Sequence, residues 1–521
     1  MIRQAPGSVG IALVSRGSLS VETETLVRRI RERLPREPLV RLSLAPDRWT
    51  SDLAAVVVVT PPGDPRGAEL RRNPPLSPPV RTVFFSDGHG EDARAVDKAA
   101  REISGWVRAI KLRPPLGPRY LRPRLALMEA PLSRRELLTS ARGIRQEVVP
   151  AVEPGCCVGW ERCHLCAKTC PPGAISARGG RAVIDQRRCT GCGACLGACP
   201  VDAIRFPGGT KEEIDVCLRD LLSAGGRPAE PSIVAFTCAR AIEALPPLYL
   251  ELPLPCVALV TPWALLRALS LGATGVAVIT GNSPCRDRHD RGGLEREIRA
   301  SGKILEALGV EAHRIVVLDA PAPPGLSEFE ALLGRMSRVP WQGDGALAPP
   351  LGLGSLVARM ARAMPGAARP TVVAPELPFA SVEVDPAHCS LCGLCALCPG
   401  GAIERHEEAD CSALTFRYAR CTGCALCRQI CPEQAIRLTP VLAPARLLEG
   451  PHTLAASRLA RCQSCGSPIA PAFMLEAVAR RMAGRRGAPQ VLPEISRFCP
   501  ACRLSVPIGE SVLPQAGAPT V

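Results

Sequence analysis

Apolar residues recur along this chain with two different spacings, and the alternation between them divides it into segments. Val9 to Val14, Ala54 to Thr60 and Val80 to Ser86 are short, nearly continuous apolar runs, the pattern of buried strands. Val21 to Leu34 and Glu91 to Ile110 instead place apolar residues three and four apart, which predicts helices. Residues 1–112 therefore read as a small α/β domain. The same alternation returns over residues 228–338. Ser232 to Phe236, Val257 to Val260, Val276 to Thr280 and Ile315 to Leu318 predict strands there, with helices at Pro262 to Leu271 and Leu294 to Leu308. Apolar strands separated by amphipathic helices require a parallel sheet covered on both faces. Further helices are expected near Ser355 to Met364 and at Pro471 to Met482.

The stretches between these elements carry cysteine. Cys189, Cys192, Cys195 and Cys199 follow the spacing C-x2-C-x2-C-x3-C, closed by Pro200. Three thiolates so spaced wrap one iron–sulfur cube within a loop, and the fourth leaves the loop for the other cube of a pair. Cys163, Cys166 and Cys170 repeat the pattern before Pro171, with Trp160 where the first cysteine belongs; Cys157 is the substitute and Cys156 the alternative. Crossing the ligands gives one set of Cys157, Cys163, Cys166 and Cys199, and another of Cys170, Cys189, Cys192 and Cys195.

Two more copies lie downstream, Cys389, Cys392, Cys395 and Cys398 before Pro399, and Cys421, Cys424, Cys427 and Cys431 before Pro432. All four copies continue C-P-x-x-A-I, through Ile175, Ile204, Ile403 and Ile436. Crossing gives a third set, Cys389, Cys392, Cys395 and Cys431, and a fourth, Cys398, Cys421, Cys424 and Cys427. The third copy is one residue short between Cys395 and Cys398. On a helix one residue is about 100° of rotation. Cys398 is therefore expected to turn away unless the backbone adjusts, with Cys411 as its stand-in. Disulfides or chance do not produce four in-phase copies.

The layout resembles the bacterial two-cluster ferredoxin, over residues 156–208 and again over 381–440. That resemblance implies two pseudo-symmetric modules and four [4Fe-4S] clusters, the fourth completed by Cys398 or Cys411. A second resemblance lies between them. Pro255-Cys256, Thr261-Pro262 opening Trp263 to Ala268, Gly272 to Val276, and the loop with Cys285 and Arg286 are similar to the small iron–sulfur subunit of methyl-viologen-reducing hydrogenase. The family implies electron transfer from hydrogenase to heterodisulfide reductase, and a [2Fe-2S] cluster on several cysteines. Here only Cys238, Cys256 and Cys285 fall in the region, with Asn282, Ser283 and Asp287 in the loop. A cluster takes four ligands. The domain therefore reads as a cluster-free docking domain, and a [2Fe-2S] cluster there requires an outside or non-cysteine ligand.

In the tail, Cys462-x2-Cys465 and Cys499-x2-Cys502 form two pairs of one spacing, a closed tetrahedral site for structural zinc with rubredoxin-like iron as the rival. Residues 455–510 thus read as a zinc-ribbon-like module. Residues 113–155, rich in Pro and Arg, and 339–380, rich in Pro, Gly and Ala, read as linkers. The fold class is multidomain, α/β and α+β.

Composition narrows the function classes. A chain of 521 residues with 26 cysteines and metal-type spacing belongs in a reducing, cytoplasmic setting. The formal charge of +15 suggests nucleic acid until the sites are counted. Four oxidised clusters of roughly +2 each, with sixteen thiolates, and zinc with four more reduce it to about +5. With aromatic residues at 3% there is also little to stack on bases, so no nucleic-acid partner is expected. Leu252 to Thr280 is the longest low-charge run, but its prolines and Arg267 make it no membrane span. Gly88-x-Gly90-x-x-Ala93 reads as a strand-to-helix turn, because Asp87, Glu91 and Asp92 would repel a pyrophosphate.

These observations describe an electron-transfer subunit. It would relay single electrons between a redox enzyme subunit, of hydrogenase, formate dehydrogenase or heterodisulfide-reductase-like type, and a low-potential carrier such as a soluble ferredoxin or flavoprotein. No catalytic residue is assigned. The alternative is an oxidoreductase whose own site lies at the strand ends of residues 228–338, lined by Asn282, Ser283, Cys285 and Arg286.

Overall fold

The computed structural model describes residues 9–13, 21–35, 39–42, 55–60, 80–84, 93–112, 118–125, 144–222, 232–238, 245–246, 248–280, 291–319, 323–336, 341, 352–364, 370–483 and 496–504. They belong to two compact units, residues 1–370 and 371–521.

The first unit opens with β1 (Val9–Leu13), α1 (Val21–Arg33), β2 (Leu39–Leu42), β3 (Ala55–Thr60), β4 (Val80–Phe84) and α2 (Ala93–Leu112). The strands are parallel in the order β2-β1-β3-β4. β2 is not anticipated by the apolar pattern, because Arg41 interrupts it. Leu26, Ile30 and Leu34, one helical turn apart, pack on Val96, Ala100, Ile103 and Val107 of α2. The Pro/Arg-rich stretch that follows carries an antiparallel pair, β5 (Leu121–Leu125) and β6 (Ile144–Val148).

The first cysteine-rich module is built from β7 (Ala151–Val152), α3 (Leu165–Lys168), the hairpin β8 (Ile175–Arg178) and β9 (Arg181–Ile184), α4 (Ala194–Ala198) and β10 (Ile204–Arg205). β7 and β10 pair antiparallel and close it. α5 (Lys211–Leu222) then begins at a capping box, Thr210-x-x-Glu213. The Thr210 N–H donates to Glu213 Oε2 at 3.0 Å, and the Glu213 N–H donates to Thr210 Oγ1 at 3.3 Å.

The central domain comprises β11 (Ile233–Cys238), β12 (Tyr249–Leu254), α6 (Pro262–Ser270), β13 (Gly275–Thr280), α7 (Arg291–Ala307), β14 (Ile315–Asp319), α8 (Pro323–Gly334) and α9 (Leu353–Ala363). Its sheet is parallel in the order β12-β11-β13-β14, the order of the first sheet. Ile233, Ala235, Ala277 and Ile279 pack on Leu326, Phe329 and Leu333 of α8. Val234, Phe236, Val276 and Val278, on the other face, are fully buried. One expected strand is corrected: Val257–Leu259 is a 3-10 turn, closed when the Ala258 N–H donates to Cys256 Sγ at 3.3 Å. The strand lies earlier, at β12, where Pro253 hides it from a sequence reading. Proline is tolerated there because β12 is an edge strand.

α5 joins the cysteine module to the domains on either side. Arg108 of α2 pairs with Asp220 of α5, and Arg101 donates to the Leu221 carbonyl at 3.2 Å. On the opposite side, Arg267 of α6, 2% exposed, donates through Nε to Asp215 Oδ1 of α5 at 2.8 Å.

The second unit is described by itself. β15 (Val372–Val373), β16 (Ala380–Val384), β17 (Ile403–Glu407), β18 (Cys411–Phe416), α10 (Leu426–Ile430), β19 (Ile436–Leu442), β20 (His452–Arg461), β21 (Pro468–Pro471), α11 (Ala472–Ala483) and α12 (Pro500–Arg503) follow in order. They form antiparallel sheets β15-β19-β16 and β17-β18-β20-β21. The tail is therefore continuous with the second cysteine module, since β20 pairs with β18 on one side and β21 on the other. Among the described residues, no helix is long and apolar enough to cross a membrane.

The Asp215–Arg267 pair yields a prediction, because a buried cation that loses its partner is costly. Asp215→Ala is expected to destabilise the chain by about 3 kcal/mol. Replacing both residues with Leu and Met should recover most of that loss, as measured by urea unfolding.

Candidate metal centres

Three of the four cysteine loops are turned by pairs of left-handed residues. They are Gly191 and Gly193 (φ 70° and 80°), Leu391 and Gly393 (52° and 77°), and Gly423 and Ala425 (64° and 59°). These turns aim backbone N–H groups at sulfur. Gly191 donates to Cys189 Sγ and Leu391 to Cys389 Sγ, both at 3.4 Å. The second residue of each pair caps a short helix or 3-10 turn that presents the next cysteine.

The C-P-x-x-A-I signature acquires a reason here. The alanine N–H reaches back to the cysteine before the proline: Ala174 to Cys170 and Ala203 to Cys199 at 3.2 Å, and Ala402 to Cys398 at 3.4 Å. The isoleucines that follow, Ile175, Ile204, Ile403 and Ile436, are all buried.

The loops gather the thiols in crossed sets. Cys157, Cys163, Cys166 and Cys199 line one pocket with Val152, Ala182 and Ile204. Cys157 lines it, whereas Cys156 is exposed. Trp160, in the place of the missing cysteine, packs against the module core and the His164 ring. Burial, and then the neighbouring thiols of Cys189, Cys192, Cys166 and Cys170, push the Cys195 thiol well up, so it lies near members of both sets. In the second unit, Cys389, Cys392, Cys395 and Cys431 line a pocket together with Val384, Leu414, Ile436 and Glu433. Cys427 sits beside Cys421, Cys424 and Cys398.

The shortened third copy is accommodated by a change of helix type. Leu394–Leu397 is a 3-10 turn, where the other complete copies have the α-helices α4 and α10. Four α-residues rise about 6 Å and rotate a little over one full turn; three 3-10 residues rise the same ~6 Å through one turn. Cys398 stays close enough to Cys421 and Cys427 to act on both thiols. Cys411 lies in β18, with its Sγ 3.8 Å from the Ser412 carbonyl oxygen.

The electrostatics fit a metal cargo. Burial pushes the Cys166 and Cys421 thiols up to about 11, and Cys395 and Cys427 to about 12; neighbouring thiols push each of them further up. Thiolates in such a place are stable only against a cation. Soft sulfur donors in an apolar cavity, already accepting backbone hydrogen bonds, suit an iron–sulfur cube.

In the tail, the sulfurs of Cys462, Cys465, Cys499 and Cys502 all lie within 4.8 Å of one another. Tetrahedral zinc would hold its sulfurs about 3.8 Å apart. The Cys499 backbone N–H holds Cys462 down at about 6, and the Ser467 hydroxyl lowers Cys465. The Ser464 hydroxyl favours a Cys502 thiolate, but the thiols of Cys465 and Cys499 push that residue up to about 12. Four sulfurs gathered this closely suit a single tetrahedral cation.

In the central domain, Cys256 is buried with Phe206 and Leu259. Asn282, Ser283, Cys285 and Arg286, and the Gly88-x-Gly90 turn, lie outside the described residues.

Two known families match parts of the chain. Residues 182–205 and 414–437 match the 4Fe-4S binding domain, and residues 234–338 match the delta subunit of methyl-viologen-reducing hydrogenase. The chain is an iron–sulfur protein carrying two 4Fe-4S binding domains and a delta-subunit domain. Both 4Fe-4S windows take in the regular second copy of each module and leave out the irregular first. The chain is 49% identical over 55 residues to one component of an ion-translocating oxidoreductase complex from Methanosarcina acetivorans, a stretch covering 11% of this chain. It is 39% identical over 56 residues, 9% of this chain, to one component of an NADH-quinone oxidoreductase of Geobacter metallireducens. It is 36% identical over 53 residues, 10% of this chain, to an uncharacterized ferredoxin of Methanocaldococcus jannaschii. The chain spans 21%, 43% and 35% of the lengths of these relatives, respectively.

Of the six left-handed residues, Ala425 stands where the second and third copies have Gly193 and Gly393, and a left-handed alanine is strained by about 1 kcal/mol. Ala425→Gly is expected to stabilise the second unit by about that amount, read as a rise of a few degrees in its thermal midpoint.

Proposed function

We propose that this protein is a four-cluster electron relay of an oxidoreductase complex, exchanging electrons between a redox enzyme subunit and a low-potential carrier. What supports it is that Cys157, Cys163, Cys166 and Cys199 line one pocket and Cys389, Cys392, Cys395 and Cys431 another, each set drawn from loops distant in sequence. Cys157, Cys163, Cys166 and Cys199 would hold the first [4Fe-4S] cluster, and Cys170, Cys189, Cys192 and Cys195 the second. Cys389, Cys392, Cys395 and Cys431 would hold the third, and Cys398, Cys421, Cys424 and Cys427 the fourth. Such clusters supply one-electron chemistry; the chain's own residues exclude water, hold the sulfurs and set the potentials through N–H···S bonds.

The Cys462, Cys465, Cys499 and Cys502 site is proposed to hold structural zinc in a ribbon-like tail module. The delta-subunit domain is proposed as the docking element for the enzyme partner. Its support is the relatives that belong to oxidoreductase complexes, together with the direct packing of Leu259 on the first cysteine module at Gly193 and Gly209. An oxygen-free preparation should contain about sixteen cluster irons and four sets of acid-labile sulfide. Cys398→Ser should lower iron to about twelve per chain, while Cys411→Ser leaves it unchanged. A loss with Cys411→Ser and none with Cys398→Ser would overturn the assignment of the fourth set.

A further inference from the structure

The tail site and the third cysteine set are joined through one side chain. α11 lies between the two cysteine pairs of the tail, and its first turn is tied down where the Phe473 N–H donates to Ser457 Oγ of β20 at 3.3 Å. Two turns further on, Arg481 Nη2 donates to the Pro432 carbonyl and to Glu433 Oε1, each at 3.2 Å. Pro432 and Glu433 directly follow Cys431, and Glu433 lines the same cavity as Cys389, Cys392, Cys395 and Cys431.

We propose that Arg481 is a positioning residue for the third cluster, and that metal at Cys462, Cys465, Cys499 and Cys502 sets that cluster's potential by holding α11 in place. The inference rests on the cluster and zinc assignments proposed above. Its physics is simple. The Glu433 side chain is only 17% exposed, so its negative charge acts on the cavity through poorly screening surroundings. An electron added to a cluster there meets that charge. The Arg481 cation offsets it, making reduction easier. The pair itself adds little to stability, because the Arg481 side chain is 56% exposed. Its consequence is on the field at the cavity.

α11 carries Arg481 within a segment bounded by the two cysteine pairs. The first pair, Cys462 and Cys465, follows β20 directly, and the second, Cys499 and Cys502, lies beyond the helix. A metal bridging the pairs closes the segment; an open site leaves the far end of α11 untethered by cysteine.

The test is an electron paramagnetic resonance redox titration of the full chain, purified without oxygen, with iron and zinc quantified in each sample. Arg481→Ala is expected to lower one midpoint potential and leave the other three, with iron content unchanged. Arg481→Lys should restore it in part, and Glu433→Gln should raise it. Cys465→Ser, which opens the tail site, should lower the same potential as Arg481→Ala. Unmoved potentials in Arg481→Ala with full iron content overturn the positioning role. A shift in Arg481→Ala that Cys465→Ser does not reproduce overturns the metal link. A wild-type chain with full iron but no tail metal also overturns that link, and metal analysis separates this outcome from a failure of the cluster assignments.

Discussion

Buried thiols that cannot ionise alone are the constraint on which both cysteine modules depend. Cys166, Cys189 and Cys195 belong to the core of the first module, beside Ile175, Ile184 and Ile204. Removed from water, Cys166 and Cys195 favour the protonated form strongly. A small module whose centre is sulfur has too little apolar area to fold on hydrophobic burial alone. Metal binding and folding are then one equilibrium, since the cation that makes the thiolates stable also fills the space around which the strands close.

The repeated copies show how the backbone meets this constraint. The loop must approach the sulfurs closely enough for main-chain N–H groups to reach them, so three of the four turn twice through the left-handed region. Glycine does this without strain. Leu391 does it at a cost, and its side chain is fully buried, so apolar burial offsets the strain. The Ala of the C-P-x-x-A-I signature is a donor position and its Ile a core position, which is why the signature repeats as a block. In the third copy, one residue short, a tighter 3-10 turn stands where the second and fourth copies have an α-helix.

Much of this is legible in the sequence. The apolar runs mark β1, β3, β4, β11, β13 and β14 to within a residue or two. The illegible elements share a cause: a local rule overridden by context. β12 contains Pro253, acceptable only on an edge, and the apolar run Val257 to Val260 forms a turn because Cys256 caps it. α5 is signalled by Thr210-x-x-Glu213, a capping box lying just past the expected end of the cysteine module. The choices between Cys156 and Cys157, and between Cys398 and Cys411, depend on which thiol the backbone turns toward the cavity. Spacing alone does not contain that information.

Similar motifs do not make similar sites, and the difference lies in what packs on each loop. A Cβ at Gly193 would lie 2.8 Å from Leu259 Cδ2, so the loop of Cys189, Cys192 and Cys195 is covered by an apolar side chain of the delta-subunit domain. The corresponding Gly393 is covered by Arg405, whose Nη1 would lie 3.2 Å from such a Cβ. In the last copy the Ala425 methyl occupies the position itself. Burial and nearby charge are the levers by which a protein sets cluster potentials. A chain that keeps its cysteine spacing nearly constant while varying an aliphatic, a guanidinium and a methyl cover has the means to give its sites different potentials.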